Sequence, residues 1–542
     1  MPNALVAALP IALVLILMLA VRWSAVRAGL AGLALALVLA WVVFPFSSVG
    51  GDRLLGTGGA LVEAAFTAAT IIWIILPALA IYQLQERTGA VAALRTGLAG
   101  LSSDPRLTAL LVAWFFSLLL EGAAGFGTAA ALAAPFLVAL GMSPLAAVVA
   151  AMLGHVVGVT FGAVGTPIVP QVAASGLSPL DLSSVTAIQA AIVGWTMPLL
   201  VMLGIRRAYP TAPVRPSWAA WALGLGAAAA FLVPYLLIAF FVGPELPTLG
   251  GALVGGAIFI AALRRGRRER THEADAVTDL AEAASSDADT AADAYTAVSG
   301  KQASGNGSDL APRGMGLSRA MAPYLILVAL VLATRLVGPL RDASRSLEIA
   351  WEGAGGVFEA SVAPLYHPGT MLFLALLLGA WAQRATRQQV SRSLLGALRT
   401  LVPVAVALMA MLGLARVMVH AGMVDAIASA AAGSVGDAWP ALAPAVGMLG
   451  TFVTSSATAS NALFSDLQVA TAEAIGQDVS WVLGAQGLGA ALGNAIAPHN
   501  LIAAAAIVGL AGRESEILRR TFPVALALII AAGLVALVLG SR

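Results

Sequence analysis

The chain has 542 residues, of which 60% are apolar and 10% charged, and its formal net charge is +2. Soluble domains carry about 25% charged residues, so a soluble fold of this chain would lack the charge to cover its surface. The mean hydropathy of +0.93, with apolar runs of about 17 or more residues along the chain, predicts an all-α polytopic membrane protein. Zero cysteines exclude disulfides, thiolate metal sites and thiol catalysis.

Twelve apolar segments are long enough to cross a bilayer as helices. In chain order, these predicted spans are 4–21, 28–44, 60–82, 143–163, 184–205, 217–242, 247–263, 320–338, 368–383, 400–419, 480–511 and 521–540. The first segment lacks the pattern of a cleaved secretory signal, because no basic residues precede it and Arg22 and Arg27 follow it. We therefore expect it to be the first span.

Two further apolar stretches, 105–140 and 440–476, are interrupted by Gly or by Ser, Thr and Asn. Each has the length of two short helices and not that of one uninterrupted span. We expect two re-entrant hairpins, each entering and leaving the membrane on the same side. The predicted architecture is therefore about twelve transmembrane helices plus two hairpins.

The distribution of Lys and Arg predicts the orientation of the chain in the membrane. With these spans and hairpins, 23 of the 29 basic residues fall on one side, which is then the cytoplasmic side. The chain is predicted to lie in the cell membrane (plasma or inner), with both termini on the outer side. Residues 339–367 form a longer external loop, in which we expect a short amphipathic helix.

A polar segment, 264–319, divides the chain into two parts. It opens with five arginines and continues in Ala, Asp, Ser, Thr and Gly, so it cannot bury a core and is predicted to be a disordered cytoplasmic linker. Residues 1–263 then hold a first repeat of five spans with hairpin 105–140, plus two connecting spans. Residues 320–542 hold a second repeat of five spans with hairpin 440–476.

The two parts are related at an offset of 335 residues. The run from Glu121 to Thr128 is matched by the run from Ser456 to Asn461. Further on, Gly154 and Gly158 fall opposite Gly489 and Gly493. The predicted hairpins open to opposite sides, so the repeat is inverted, which is the architecture of many secondary transporters.

A hairpin that turns inside the bilayer leaves helix ends without intrahelical partners, which is tolerated only where they face protein, water or ligand. Half-helix N-termini at such a turn attract a carboxylate. We therefore expect tips near Gly125 and Ser456 to meet close to mid-membrane. The candidate substrate-binding residues are Gly125, Phe126, Gly127, Thr128, His155, Ser456, Thr458, Ser460, Asn461, His499, Asn500 and Arg416.

Several sequence blocks resemble the L-lactate permease family, which belongs to the wider ion transporter superfamily. The matching blocks are Glu121 to Thr128, Phe161 to Ile168, Ser460 to Phe464, Leu467 to Thr471 and Gly509 to Glu514. The resemblance implies proton-coupled uptake or exchange of lactate and related 2-hydroxymonocarboxylates such as D-lactate and glycolate. It also suggests a homodimer and an elevator-like motion, although rocking of two halves fits the repeat equally well. His155 and the run Ala497-Pro-His-Asn500 depart from the family pattern.

For each of three candidate residues, the sequence allows two interpretations of its role. Glu121 is the candidate proton carrier, and the alternative is a cap at a half-helix N-terminus. His155 either titrates and contacts substrate or only packs. Arg416 suits a carboxylate, although extension toward the interface is the alternative. Glu63 and His420 are left out of the site, because each lies close to a predicted interface.

Other functions are less consistent with the sequence. A channel needs a continuous polar lining, whereas polar residues here concentrate at two mid-membrane points. The chain has no His-Glu-x-x-His, Gly-x-Ser-x-Gly or Walker A pattern, so we expect neither an enzyme nor an ATP-driven pump. We also expect no cofactor, no metal ion and no nucleic acid partner. The remaining alternative is a sodium-coupled carrier of dicarboxylates on the same architecture.

Overall fold

The computed structural model describes residues 2–21, 23–46, 49–99, 105–125, 128–208, 217–265, 315–510 and 513–540. These residues are mostly helical, and ten segments among them are long and apolar enough to cross a bilayer. The predicted candidate-site residues Phe126 and Gly127 lie outside the described residues, as do the side chain of Thr128 and most of the predicted linker.

The described residues of the first half form fourteen α-helical elements, several of them short. They are α1 (Pro2–Leu19), α2 (Ala25–Val42), α3 (Arg53–Arg87), α4 (Ala90–Ala99), α5 (Pro105–Leu110), α6 (Ser117–Ala123), α7 (Thr128–Ala139), α8 (Pro144–Gly154), the single turn α9 (Gly162–Gly165), α10 (Val169–Ser175), α11 (Pro179–Gly194), α12 (Thr196–Ala208), α13 (Ser217–Phe241) and α14 (Pro247–Arg265). A π-helical segment, Leu111–Phe116, joins α5 to α6, and 3-10 turns flank α9.

The second half contains ten helices and one pair of strands. They are α15 (Leu317–Leu336), α16 (Gly338–Arg345), β1 (Ile349–Gly353), β2 (Phe358–Val362), α17 (Pro368–Ala382), α18 (Arg387–His420), α19 (Met423–Ser434), α20 (Trp439–Thr454), α21 (Ala457–Ala474), α22 (Val479–Gly493), α23 (Pro498–Ile507) and α24 (Glu514–Gly540). The strands pair antiparallel, with Ile349 opposite Val362. The described residues are mostly helical, as predicted, and the 339–367 loop adds a small β-hairpin after its short helix.

Helix starts follow local capping chemistry. Ser143 accepts a hydrogen bond from the Ala146 amide and precedes Pro144 at the start of α8. Thr386 and Gln389 form a capping box at the start of α18. These signals are short-range, which is why the beginnings of most apolar helices could be predicted.

The count of twelve spans differs from the ten long apolar segments of the described residues, because several predicted spans are short or broken. Predicted span 143–163 is only the eleven-residue α8 followed by 3-10 and turn structure. Predicted span 480–511 ends at Gly493 and resumes at Pro498. The apolar runs conceal these breaks, since hydropathy does not register the backbone conformation.

Both predicted hairpin stretches are two helices joined by a turn. The first breaks after α6, at Ala124 and Gly125, and Gly125 has a φ of +61°. The second breaks at Ser455 and Ser456, between α20 and α21, which pack against each other. The re-entrant path and the opposite openings of the two hairpins stay predictions.

Helix positions repeat along the chain. The start of α8 at Pro144 and the start of α22 at Val479 are 335 residues apart, and so are the starts of α11 and α24. The last residues of α7 and α21, Ala139 and Ala474, have the same separation. The long helices α3 and α18 pack along each other, and α21 contacts α10 while α7 contacts α23. Each hairpin therefore packs on the broken segment of the other half.

Candidate functional site

A small cavity lies where the two hairpin turns meet. Its volume is about 30 Å³. The lining residues are Glu121, Gly125, Val159, Gly162, Ala163, Thr166, Pro167, Ser455, Ser456, Ala457, Thr458 and Asn494. The structure thus brings together four predicted site residues, two from each hairpin: Glu121, Gly125, Ser456 and Thr458.

The second hairpin contributes the N-terminus of α21. Ser456 is the N-cap residue, and its side chain accepts a hydrogen bond from the Ala459 amide at 3.2 Å. The preceding turn is closed by Thr454, whose hydroxyl donates to the Ser456 carbonyl oxygen at 3.0 Å. The N-terminus of an eighteen-residue helix directs its dipole and its first amides toward the cavity. This wall suits an anion.

The first hairpin contributes the carboxyl group of Glu121. This residue is 2% exposed, and its Oε2 has no hydrogen-bond partner among the described residues. Glu121 lies in the last turn of α6, so it does not cap the N-terminus of its own helix, and it lines the cavity beside the N-terminus of α21. The negative end of a helix dipole does not stabilise a carboxylate charge. An added Cβ at Gly162 would lie 2.6 Å from Glu121 Oε1, so only glycine allows the carboxyl group this close.

The third wall is the broken segment after α8. Ala163, Val164 and Gly165 have left-handed φ values of +42°, +56° and +80°. The Thr166 hydroxyl then lies 3.4 Å from the Thr458 hydroxyl. Asn461 also reaches this segment, because its amide donates to the Pro167 carbonyl oxygen at 2.8 Å. The second hairpin is therefore tied to the first half at the cavity.

Ser460 and Asn461, although predicted to contact substrate, do not line the cavity. Ser460 donates to the Gly447 carbonyl oxygen at 2.8 Å and so holds the two arms of the second hairpin together. Gln486 donates to both side chains at 3.4 Å. In this arrangement the two residues position the hairpin.

Three polar residues that line the cavity, Thr166, Ser455 and Asn494, were not among the predicted substrate-binding residues. Thr166 lies within the Phe161 to Ile168 block, which was a usable signal. Asn494 follows the last residue of α22, and Asn500 donates a short hydrogen bond to its side-chain oxygen. Asn500, a predicted site residue, therefore reaches the cavity only through Asn494.

Two predicted histidines lie away from the cavity. His155 is fully buried, and its Nδ1 contacts the Ala151 carbonyl oxygen at 2.8 Å, while Nε2 has no hydrogen-bond partner among the described residues. His499, in the first turn of α23, is exposed. Neither side chain lines the small cavity.

Arg416 belongs to a charged cluster with Glu63, His420 and Asp466. Its Nη1 lies 3.4 Å from Asp466 Oδ1, its Nε lies 3.9 Å from Glu63 Oε2, and its Nη2 donates to the Ala173 carbonyl oxygen at 2.8 Å. His420 Nε2 lies 2.9 Å from Glu63 Oε2. The four side chains are 9% to 13% exposed. Glu63 and His420, which were left out of the predicted site, are therefore paired with each other inside the protein, and Glu63 is also paired with Arg416.

A second cavity, of about 720 Å³, lies between α3, the β-hairpin and the loop before α14. Arg335 pairs with Glu245 at 2.5 Å inside it, and Tyr366 stacks on the Arg335 guanidinium at 3.5 Å. Val164 and Gly165 line this large cavity, whereas Gly162 and Ala163 line the small one. The turn α9 therefore separates the two cavities.

The family model for L-lactate permease matches residues 3–541. The chain belongs to the L-lactate permease family. Relatives in this family include an L-lactate permease of Streptococcus iniae, 29% identical over 89% of this chain and 93% of its own length. An L-lactate permease of Bacillus subtilis is 27% identical, with 97% and 94% covered. The glycolate permease GlcA of Escherichia coli is 28% identical, with 96% and 92% covered.

Two solved transporters have partly similar folds. One is the YdaH transporter of Alcanivorax borkumensis, with a TM-score of 0.45 and 17% identity over 88% of this chain and 86% of that one. The other is MtrF of Neisseria gonorrhoeae, described as an antimetabolite efflux pump, with a TM-score of 0.46 and 15% identity over 90% and 84%.

Proposed function

We propose that the protein is a secondary active transporter of L-lactate and related 2-hydroxymonocarboxylates, such as D-lactate and glycolate, which it moves together with a proton by alternating access. The observation that carries the proposal is the small cavity between the two hairpin turns. Hydroxyl and amide groups line it beside the Glu121 carboxyl group, whose Oε2 has no hydrogen-bond partner among the described residues. The relatives named lactate and glycolate permeases support the substrate class.

The chemistry of the walls matches a 2-hydroxy acid. Amides at the N-terminus of α21 and the hydroxyls of Ser456 and Thr458 can bind a carboxylate. The Thr166 hydroxyl and the Asn494 amide offer both donors and acceptors to the 2-hydroxyl group. No described residue of the cavity carries a positive charge, which suits an anion that arrives with its own proton.

The size of the cavity requires a conformational change. A cavity needs about 10 to 15 Å³ on this measure to hold one water molecule, so the small cavity of about 30 Å³ has room for about two or three waters. The large cavity lies across the turn α9. Under the proposal, α9 or a hairpin turn moves to let a hydroxy acid enter from that side.

Glu121 is the residue that we propose carries the proton. A lactate anion about 4 Å from a charged Glu121 is repelled by about 4 kcal/mol at an effective dielectric constant near 20. Even half of that energy changes the affinity by more than about tenfold. Protonation of Glu121 removes the repulsion, so substrate and proton bind together and the loaded carrier is electroneutral.

The test is transport of labelled lactate by Glu121→Gln in proteoliposomes. We expect the variant to lose accumulation driven by a pH gradient, because Gln cannot exchange a proton. Exchange of lactate between two filled compartments should remain, because the neutral side chain does not repel the anion. Glu473→Gln, at an exposed position of α21, is the matched control and should accumulate lactate like the wild type.

Accumulation of lactate by Glu121→Gln at acid outside pH would contradict this role and make His155 the next candidate. Replacing the pH gradient by a sodium gradient tests the alternative of a sodium-coupled carrier of dicarboxylates. Under the proposal, sodium drives no accumulation, and labelled dicarboxylates do not exchange.

The arrangement in the membrane completes the proposal. The hairpins and the segments that follow them form a mobile transport unit, and the other spans form a scaffold that dimerises. Both termini lie outside, and the 264–319 linker lies in the cytoplasm. An elevator-like displacement would change the depth of the site between inward and outward states, whereas rocking would leave it unchanged.

A further inference from the structure

The charged cluster carries an unbalanced charge. Glu63 and Asp466 contribute two negative charges when ionised, Arg416 contributes one positive charge, and His420 contributes none when neutral. A net charge of −1 inside a membrane protein is unfavourable unless a counter-charge accompanies it. One additional proton makes the cluster neutral, and the 2.9 Å contact between His420 and Glu63 is suited to hold it.

The cluster joins two groups of elements. Glu63 lies on α3, and Arg416 and His420 lie on α18, which packs along α3. Asp466 lies on α21, and the carbonyl group of Ala173 lies on α10. Both α21 and α10 continue directly from segments that line the small cavity, at Ser456 and Thr166. The contacts of Arg416 are therefore made with the elements that form the candidate site.

When α21 moves, Asp466 leaves the charged cluster, and this changes the number of protons that the cluster prefers to bind. When α21 moves away from α18, Glu63 and Arg416 balance each other, and a charged His420 would leave the remainder at +1. The proton then leaves to water. Docking of the second hairpin and binding of one proton are thus linked, and each must favour the other to the same extent.

We propose that the charged cluster binds one proton when the second hairpin is docked against α18 and releases it when the hairpin moves away. This inference rests on alternating access as the proposed function, and it adds a proton site distinct from Glu121. The site makes the hairpin movement itself dependent on pH, with the docked arrangement favoured at low pH.

Other ionisable groups near the cluster are solvated or paired. The Phe358 ring of β2 covers His420 at 4.5 Å, and α19, beside α21, carries the exposed Asp425. Glu245 and Arg335 pair with each other at 2.5 Å in the large cavity. The remaining ionisable residues that line this cavity with Glu63 and Arg416 are His367, Tyr366, Glu348, Glu352 and Glu359. The three acids among them are exposed, so their charges are screened by water.

The experiment measures the distance between α3 and α21 as a function of pH. Because the chain has no cysteine, Leu54→Cys and Ala474→Cys give exactly two spin-label sites at exposed positions. Double electron–electron resonance in nanodiscs, from about pH 5 to about pH 8, then gives the docked fraction. With one linked proton, we expect the ratio of docked to undocked carrier to fall by up to about tenfold per pH unit.

Two substitutions are expected to shift the ratio of docked to undocked carrier in opposite directions. Asp466→Asn leaves a cluster that is neutral without the extra proton, so the hairpin should stay docked across the pH range. His420→Gln fixes the charge at −1, so the docked fraction should be low across the range. The double variant should regain a high docked fraction without pH dependence. Asp425→Asn is the matched control and should behave like the wild type.

The proposal is overturned if Asp466→Asn keeps the pH dependence of the wild type, or if the double variant is no better docked than His420→Gln. These measurements need no substrate, so they remain informative if lactate counterflow fails and the proposed substrate is wrong. Conversely, if the wild-type protein exchanges lactate and both single variants keep the wild-type pH response, the proton site in the charged cluster is rejected and the proposed transport function stands.

Discussion

Ser455 and Val164 have left-handed backbone conformations, with φ of +58° and +56°. A non-glycine residue in this region costs on the order of 1 to 3 kcal/mol, and Val164 is also β-branched. Ser455 lies in the turn of the second hairpin and Val164 in α9, on walls of the small and the large cavity. Strain at these residues lowers the free-energy cost of changing to other backbone conformations. Such changes would be needed in these cavity walls under the proposed alternating access.

His367 gives a residue-scale prediction about stability. It is the N-cap of α17, and its Nδ1 accepts a hydrogen bond from the Gly369 amide at 3.3 Å. Burial, and then the nearby Arg335 guanidinium, lower the pKa of His367 from its usual 6.5 to about 4. The folded protein therefore holds this residue neutral in a pH range where the unfolded chain protonates it. Its contribution to stability is lost as pH falls from about 6.5 to about 4.

Thermal unfolding in detergent at about pH 7 and about pH 4.5 checks this expectation. His367→Asn keeps a good N-cap without a titrating group, so its melting temperature should fall less on acidification than that of the wild type. Equal decreases in both proteins would show that His367 does not contribute to the acid sensitivity.

The position of the cavity was easier to predict from the sequence than the orientation and pairing of the side chains around it. Gly125, Ser456 and Thr458 were predictable because small and hydroxyl residues interrupt apolar runs where helices break. The exposure of His499 was not predictable, since a residue after a broken helix can face either way. The pairing of Arg416 with Asp466 joins residues 50 positions apart through packing that no local pattern encodes.

At the scale of the elements, glycines at equivalent positions let the first arm of each hairpin lie against the helix that follows. An added Cβ at Gly154 would lie 1.8 Å from the Ala113 carbonyl oxygen, and one at Gly489 would lie 1.9 Å from the Pro444 carbonyl oxygen. These distances involve backbone atoms, which cannot move away without displacing the arm. Gly154 and Gly489 thus each pack against a backbone carbonyl of the first hairpin arm, but Ala113 and Pro444 are 331 positions apart, so the two contacts are offset by about one helical turn.

Gly154→Ala and Gly489→Ala should therefore each destabilise the protein by at least about 1 to 3 kcal/mol, the usual cost of overpacking. Gly433→Ala is the matched control, because an added Cβ there meets nothing within 4 Å and Ala favours the helix. Melting temperatures of the three variants in detergent provide the measurement. A wild-type melting temperature for either Gly154→Ala or Gly489→Ala would mean that the hairpin arms are not packed as closely as described.

The long apolar helices were predictable from the sequence, but their ends were less so. The predicted span 400–419 corresponds to α18, which begins at Arg387 after the capping box of Thr386 and Gln389. The segment around α9 is apolar throughout, so its left-handed turn had no hydropathy signal. Its conformation depends on neighbours such as the Pro244 carbonyl oxygen, which lies 2.6 Å from the position of a Cβ on Gly165.

At the scale of the whole molecule, the two halves contact each other reciprocally. Helix α21 packs on α10 of the first half, and α7 of the first half packs on α23 of the second. Each hairpin is therefore supported by the half to which it does not belong. Under the proposed alternating access, a movement of either hairpin would therefore also involve elements of the other half.

The inverted orientation of the repeat is tested by two equivalent residues. Ala139 and Ala474 are the last residues of α7 and α21, both are exposed, and they are 335 positions apart. If the halves are inverted, these residues lie on opposite sides of the membrane, with Ala139 in the cytoplasm and Ala474 outside. Because the chain has no cysteine, Ala139→Cys and Ala474→Cys each introduce a single reactive thiol.

A membrane-impermeant maleimide added to intact cells should label Ala474→Cys and leave Ala139→Cys unlabelled until the cells are opened. Ser346→Cys, in the predicted external loop, is the control for outside labelling, and Gln388→Cys, after a predicted cytoplasmic turn, is the control for inside labelling. The assignment follows from the basic residues, since the predicted cytoplasmic side carries 23 of the 29. Labelling of Ala139→Cys and Ala474→Cys from the same side would show that the two halves are parallel and not inverted. The two hairpin turns could not then approach the cavity from opposite faces of the membrane.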